Sequence, residues 1–148
     1  MPDNSFDQTH MRLAMEAAQC ALPQDVPVGA LLVANDRIIA TAFNQREIDN
    51  DPTAHAEILA LRRAATELGR WRLSNTTLYV TLEPCPMCAS AIQQARIGRV
   101  VFGAYDPVLG ACGSRWAFLM DSPEVAVQGG LLEVENRKLL QRFFQKLR

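Results

Sequence analysis

The 148-residue chain is predicted to fold as an α/β structure in which helices cover a mixed β-sheet. Two observations predict it. Runs rich in β-branched and aromatic residues alternate with runs of helical periodicity along nearly the whole chain, and the first two strand-like runs are separated only by Asn35-Asp36, a pair that tolerates the positive φ of a tight hairpin turn. Residues 1–148 are expected to form one domain, since a chain of this length buries roughly two-thirds of its unfolded surface. There is no repeat, linker or low-complexity segment.

Each element has a local reason. Ser5 or Asp7 is expected to cap a first helix that runs to about Leu22, with Met11, Met15, Ala18 and Leu22 at helical spacing and Pro23 ending it. Val28 to Ala34 and Arg37 to Phe43 form the hairpin. After the polar loop Asn44 to Asp51, Pro52 precludes a continuing strand, and Thr53 offers a cap for a helix from about Ala54 to Leu68 that Gly69 closes. Thr76 to Leu82 has the composition of a buried strand. Pro84-Cys85-Pro86 then opens a third helix ending near Gly98, because proline sets φ in advance for a first helical turn. Arg99 to Gly103 follows as a strand, Ala104 to Ser114 as a loop, Arg115 to Met120 as a short helix, Glu124 to Gln128 as a fifth strand and Glu133 to Leu147 as a last helix.

Composition narrows the function. No apolar run approaches the roughly 20 residues of a membrane span, and Met1-Pro2-Asp3-Asn4-Ser5 lacks the basic-then-apolar order of a secretion signal, so a soluble, cytoplasmic protein is expected. A net charge of −1 supplies no overall pull towards nucleic acid. The charge is uneven, however: residues 1–60 hold 3 basic and 9 acidic side chains, residues 61–148 hold 12 and 7, and Arg137 to Arg148 contain five Lys or Arg and no acid. That terminal stretch is either a surface that follows a phosphate backbone or the solvated face of an amphipathic helix.

The densest chemistry is His55-Ala56-Glu57, followed after 26 residues by Pro84-Cys85-Pro86-Met87-Cys88. Cys85 and Cys88, three apart in a first helical turn, share a face and can grip one ion, and the exposed N–H groups at that helix end favour the thiolate that binds metal. Taken alone, Cys-x-x-Cys suits a redox dithiol as well as a metal pair; the upstream His-x-Glu decides for metal. His10 lies in the polar start of the first helix, which leaves His55 as the imidazole ligand. Three ligands with a spare carboxylate fit a catalytic zinc, which keeps a fourth position for water, better than a structural zinc, which closes its tetrahedron with protein. Such a centre lowers the pKa of its water from 15.7 to about 7, and Glu57 can take the released proton, pass it to a ring nitrogen and later protonate a departing amine. Cys20 and Cys112 are expected to be free thiols.

These residues resemble the cytidine/deoxycytidylate deaminase superfamily, and within it the bacterial tRNA-specific adenosine deaminases. The likeness runs through Pro27-Val28-Gly29-Ala30, Asn44, Pro52 to Glu57, Leu78 to Cys85 and Arg96 to Ala104, and is nearly continuous from Val26 to Ser114. The resemblance implies a three-layer α/β/α cytidine deaminase-like fold with a five-stranded mixed sheet, a homodimer, and one Zn2+ per subunit held by His55, Cys85 and Cys88. It implies Glu57 as proton shuttle, Asn44 as hydrogen-bond partner of the target base, Val28 and Ala56 as walls of its pocket, and Asp106 as a holder of the flanking nucleotide. The implied reaction converts adenosine to inosine at the wobble position of a tRNA anticodon loop.

The residues alone leave alternatives. Asn44 also suits a turn after a strand, and Asp106-Pro107 a turn signal. The chain departs from the family after Ser114: Asp121 to Val125 runs into the last strand without the Asn-His pair common there, Tyr105 stands where many relatives are polar or charged, and the chain stops at Arg148 without a longer basic tail. A deaminase of free nucleobases or nucleosides, guanine or cytosine in type, is the second reading. A zinc or RNA-binding module without catalysis is the third, and an intact Glu57 argues against it.

Overall fold

The computed structural model describes residues 4–147. Five strands, β1 (Gly29–Ala34), β2 (Arg37–Phe43), β3 (Thr76–Leu82), β4 (Arg99–Ala104) and β5 (Ala126–Gln128), make one sheet in the order β2-β1-β3-β4-β5. β1 runs antiparallel to both β2 and β3, whereas β3, β4 and β5 are parallel, which is the mixed sheet expected from the sequence. Asn35 and Asp36 adopt φ of 50° and 61° in the β1–β2 turn, the double left-handed geometry that matches the twist of a two-residue hairpin.

Alternation along the strands sorts two cores. Leu31, Val33, Tyr79 and Val101 face Met11 and Ala14 of helix α1 (Asn4–Gln19). Ala30, Leu32, Leu78, Val80, Val100 and Phe102 face the other side, where Ala56, Ala60 and Ala64 of α3 (Ala56–Leu68) and Ala89 and Ile92 of α4 (Pro86–Gln94) pack. A period of two is what places successive side chains on opposite faces. Helices thus cover both sides of the sheet, the three-layer arrangement. α1 lies so close to β1 that a Cβ on Gly29 would sit 1.9 Å from the Ala14 carbonyl oxygen, so only glycine fits there. α5 (Glu133–Lys146) begins over β4, with Asn136 against Gly103, and its far end carries Phe144 to the carboxyl end of the sheet.

Several boundaries differ from the sequence reading, some of them because a polar group found a different partner. α1 is already helical at Asn4, so neither Ser5 nor Asp7 caps it. Asp7 instead turns inward, accepting a hydrogen bond from the Tyr79 hydroxyl at 2.6 Å and pairing with Arg99 at 2.6 Å. His10 is buried rather than on a polar surface, bonding the Phe6 carbonyl and stacking on Tyr79. α1 stops at Gln19, turns lead on to Pro23, and Leu22 is exposed. Thr53 does not cap α3, because its N–H and Oγ1 are both held by Asp51 Oδ1, and His55 takes the cap position. The loop after β2 contains a four-residue helix, α2 (Arg46–Asp49), with the N–H groups of Glu47 and Ile48 donating to the Asp25 carboxylate. α4 ends at Gln94, short of Gly98. Arg115 to Met120 forms turns, not a helix: the Arg115 and Trp116 N–H groups bond back to the Gly110 carbonyl and Leu119 drops into the core. Among the described residues no helix is long and apolar enough to cross a membrane.

Candidate metal centre and cavity

β3 and β4 are parallel, so both deliver their following loops to one edge of the sheet, with Leu82 in register with Ala104. Pro84-Cys85 leaves β3 there, and Cys85 becomes the N-cap of α4, with Pro86 pre-setting its first turn. His55 is the N-cap of α3. Two helix starts therefore converge, and the three ligand atoms of His55, Cys85 and Cys88 lie within 4.8 Å of one another. His55 Nδ1 is 3.6 Å from Cys85 Sγ and 3.3 Å from Cys88 Sγ. Zinc bonds of about 2.05 Å to nitrogen and 2.3 Å to sulfur at a tetrahedral angle require N···S edges of about 3.6 Å. The donor set fits zinc in kind and in spacing, and the two sulfurs are not joined to each other.

Electrostatics of the trio follow from proximity. The neighbouring Cys88 thiol, aided by His55, holds Cys85 well down, at about 4. Its interaction with Cys85, together with burial, drives Cys88 far up. The hydrogen bond to the Cys85 sulfur raises His55. A divalent cation at this trio would compete with protons for the two sulfurs. Glu57, 4 % exposed, is raised chiefly by burial, partly offset by the His55 charge.

Beside the trio opens a cavity of 210 Å³. The other site residues that the resemblance implies meet there: Val28, Asn44, Ala56, Glu57 and Asp106 all line it. Asn44, 7 % exposed, donates from Nδ2 to the Val26 carbonyl at 3.2 Å, while its Oδ1 is buried without a partner among the described residues. An acceptor in that state costs about 1–3 kcal/mol until something donates to it. Cys20 is exposed and Cys112 buried, both reduced, with burial pushing the Cys112 thiol up to about 12.

The sequence reading missed six wall residues, of which Val26, Leu82 and Leu109 are apolar neighbours of residues it named and three are not. Arg46 and Phe144 line the cavity from α2 and α5, elements whose polar or amphipathic patterns carried no sign of it. Glu83 is the third: 2 % exposed at the end of β3, it accepts hydrogen bonds from the backbone of Asp106, Cys112 and Ser114 and from the Ser114 hydroxyl. An acid directly after a strand of buried-strand composition was the signal available for it.

The cytidine and deoxycytidylate deaminase zinc-binding region matches residues 4–104, and the chain belongs to that family. It is 48 % identical to a tRNA-specific adenosine deaminase of Haemophilus influenzae, over 98 % of this chain and 87 % of that one. A solved structure from a study of A-to-I editing by tRNA:A34 deaminases at the wobble position of transfer RNA superposes with a TM-score of 0.84 at 44 % identity, covering 89 % of this chain and 99 % of that one. A guanine deaminase from Bacillus subtilis superposes with a TM-score of 0.66 at 36 % identity, over 78 % and 77 % of the two chains. The fold is therefore cytidine deaminase-like, and His55, Cys85 and Cys88 are its zinc ligands.

Proposed function

We propose that this protein is a zinc-dependent hydrolase that deaminates adenosine to inosine at the wobble position of a tRNA anticodon, with residues 1–148 acting as one catalytic domain. The observation that carries the reading is the His55, Cys85 and Cys88 trio set beside one cavity, whose walls include His55, Cys85, a desolvated Glu57 and an unpartnered Asn44 acceptor. When bound, zinc supplies a water acidic enough to lose its proton at neutral pH.

The chain's own residues do the rest. Asn44 Oδ1 accepts an N–H of the base and so orients it, while Val28 and Ala56 supply apolar walls. Glu57 takes the proton from the attacking water and gives it to the ring nitrogen next to the reacting carbon. It then moves the second water proton to the amine, and ammonia leaves with the water oxygen in its place. Burial favours the protonated form of Glu57, so the proton it takes from water is held on the side chain until it is passed on. A base can enter only when turned out of its stack, which an anticodon loop permits. Asp106 and Phe144 at the cavity wall would meet the neighbouring nucleotides, and the basic face of α5 would follow the backbone.

The outer face of α3 and α4 supports a homodimer. Trp71 is 60 % and Met87 37 % exposed, and they share an apolar groove with Ile58, Leu61 and Ala91, a surface a second copy would cover. Sedimentation of wild type as a dimer and of Trp71→Glu as a monomer is the expected result. Thiolate ligands and a tRNA substrate support a location in the reducing cytoplasm.

The test is incubation of zinc-loaded protein with an anticodon stem-loop bearing wobble adenosine and, separately, with guanine, cytosine and free nucleosides. Inosine in the stem-loop alone is expected. Ammonia released from a free base alone, with the stem-loop untouched, would overturn the proposal in favour of the nucleobase reading.

A further inference from the structure

Glu83 has no ligand duty, yet it is the most heavily hydrogen-bonded acid near the cavity. Its Oε1 accepts from the Asp106 N–H at 3.0 Å and from the Ser114 hydroxyl, and its Oε2 accepts from the N–H groups of Cys112 and Ser114 at 3.0 and 3.1 Å. No Lys, Arg or His forms a salt bridge to it among the described residues. Burying a carboxylate without a counter-charge is costly, and here dipoles of the 106–114 loop alone offset the cost. The carboxylate is also a template of fixed size: a Cβ on Gly110 would lie 2.4 Å from its carboxyl carbon, so the loop wraps it in contact. The neighbouring Pro84 carbonyl accepts the Ala111 N–H at 2.8 Å, a second anchor on the same turn.

What the loop holds explains the arrangement. Asp106 and Leu109 form part of the cavity wall, and Asp106 Oδ1 is already engaged with the Val108 and Leu109 N–H groups, so its position follows the loop's conformation. Cys85, two residues beyond Glu83, is a zinc ligand. One short turn thus carries the metal on one side and the nucleotide-facing loop on the other.

We propose that Glu83 is a positioning residue that sets the 106–114 loop, through Asp106, for the nucleotide next to the target base, and so governs affinity for RNA rather than the chemical step. This rests on the reading of the protein as an RNA deaminase. Glu83→Gln puts an amide NH2 where one carboxylate oxygen meets two donors, and it removes the charge that strengthens the remaining bonds. Ser114→Ala deletes only the hydroxyl donor and is the milder variant.

The experiment measures both variants, Asp106→Asn and the double variants with Asp106→Asn as zinc-loaded dimers or monomers as isolated, with KM and kcat on the anticodon stem-loop. Amide hydrogen exchange and zinc content are measured on the same samples. For Glu83→Gln, KM is expected to rise about tenfold, the equivalent of one lost charge-assisted bond, with kcat within about threefold and one zinc per chain retained. Exchange at Asp106, Cys112 and Ser114 should accelerate while β3 and β4 stay protected. The double variant should be no worse than the poorer single, because both act through one loop. Multiplicative losses, or a fall in kcat with KM unmoved, would overturn the inference. Should Glu83→Gln fail to fold, the Ser114→Ala and Asp106→Asn cycle decides by the same criterion. A wild type inactive on the stem-loop sinks the RNA reading itself, whereas an active wild type with independent variants sinks only the role of Glu83.

Discussion

Replacing Asn44 by Ala should cost activity and little stability. Two atoms of this side chain pull in opposite directions in the free protein. Nδ2 donates to the Val26 carbonyl at 3.2 Å, a bond that contributes about 0.5–1.5 kcal/mol, while the buried, unpartnered Oδ1 costs about 1–3 kcal/mol. Truncation removes both, so the change in folding free energy should lie between about 0.5 kcal/mol destabilising and about 2.5 kcal/mol stabilising in urea unfolding of the zinc-loaded protein. With a base bound, Oδ1 gains its donor, and the truncated enzyme loses that bond in a desolvated cavity. About 1.5–3 kcal/mol of lost transition-state binding corresponds to a fall of about tenfold to 150-fold in kcat/KM on the stem-loop. Asn44→Asp tests the orientation: it keeps an acceptor but sets a carboxylate against the Val26 carbonyl, and should lose both activity and stability. An Asn44→Ala protein that unfolds several kcal/mol more easily yet turns over normally would show that Asn44 is only a turn residue after β2, the reading its sequence position equally allows.

Other outcomes follow from the same site. Glu57→Gln should retain zinc and fold while kcat falls by about 10²–10⁴, since the amide cannot shuttle a proton; an undiminished rate would remove Glu57 from the mechanism. Chelation should abolish activity and lower the melting temperature, with recovery on adding zinc, because zinc at about a thousand times its Kd stabilises the folded state by about 4 kcal/mol; a melt indifferent to chelator would argue against the His55, Cys85 and Cys88 site. Asp7→Asn should destabilise by about 2 kcal/mol at pH 7, the value for a buried pair discounted for the 30 % exposure of Arg99. The Asp7 carboxyl is held low, first by its hydrogen bond from Arg99, so the folded state binds fewer protons than the unfolded one on the acid side. Its contribution is full above an unfolded carboxyl pKa of about 3.9 and is lost as pH falls below that towards the folded value. Wild type and Asp7→Asn melts should therefore converge on acidification through that window, and a constant gap would refute the linkage.

The metal ligands were legible because their constraints are local. Cys85 and Cys88 must share one helical turn, and that demand is written in a spacing of three; His55 and Glu57 were placed by their neighbourhood at a helix start. The strands were legible for the same reason, each being a run whose own composition decides it. Failures came where a partner far along the chain prevailed over a near one. Asp7 has the features of a cap, yet it is turned inward by Tyr79 and Arg99, residues 72 and 92 positions away. Arg115 to Met120 has helix-forming residues, yet its N–H groups are claimed by a loop that Glu83 organises from β3.

The same distinction separates the two halves of the site. Zinc binding needs three side chains at fixed mutual distances, which two helix starts supply whatever lies around them. Recognition of a nucleotide needs walls, and here these come from stretches scattered along the chain: Val28 just before β1, Asn44 and Arg46 just after β2, Ala56 at the start of α3, Asp106 from the loop after β4 and Phe144 from α5. None of these positions is constrained by its neighbours in sequence to be what it is. Departures after Ser114 can therefore accumulate on the recognition side without disturbing the metal, provided the loop that carries Asp106 keeps its hold on β3. Glu83, two residues from Cys85, is where those two requirements meet, and it is the position at which a substitution should alter substrate preference while leaving zinc in place.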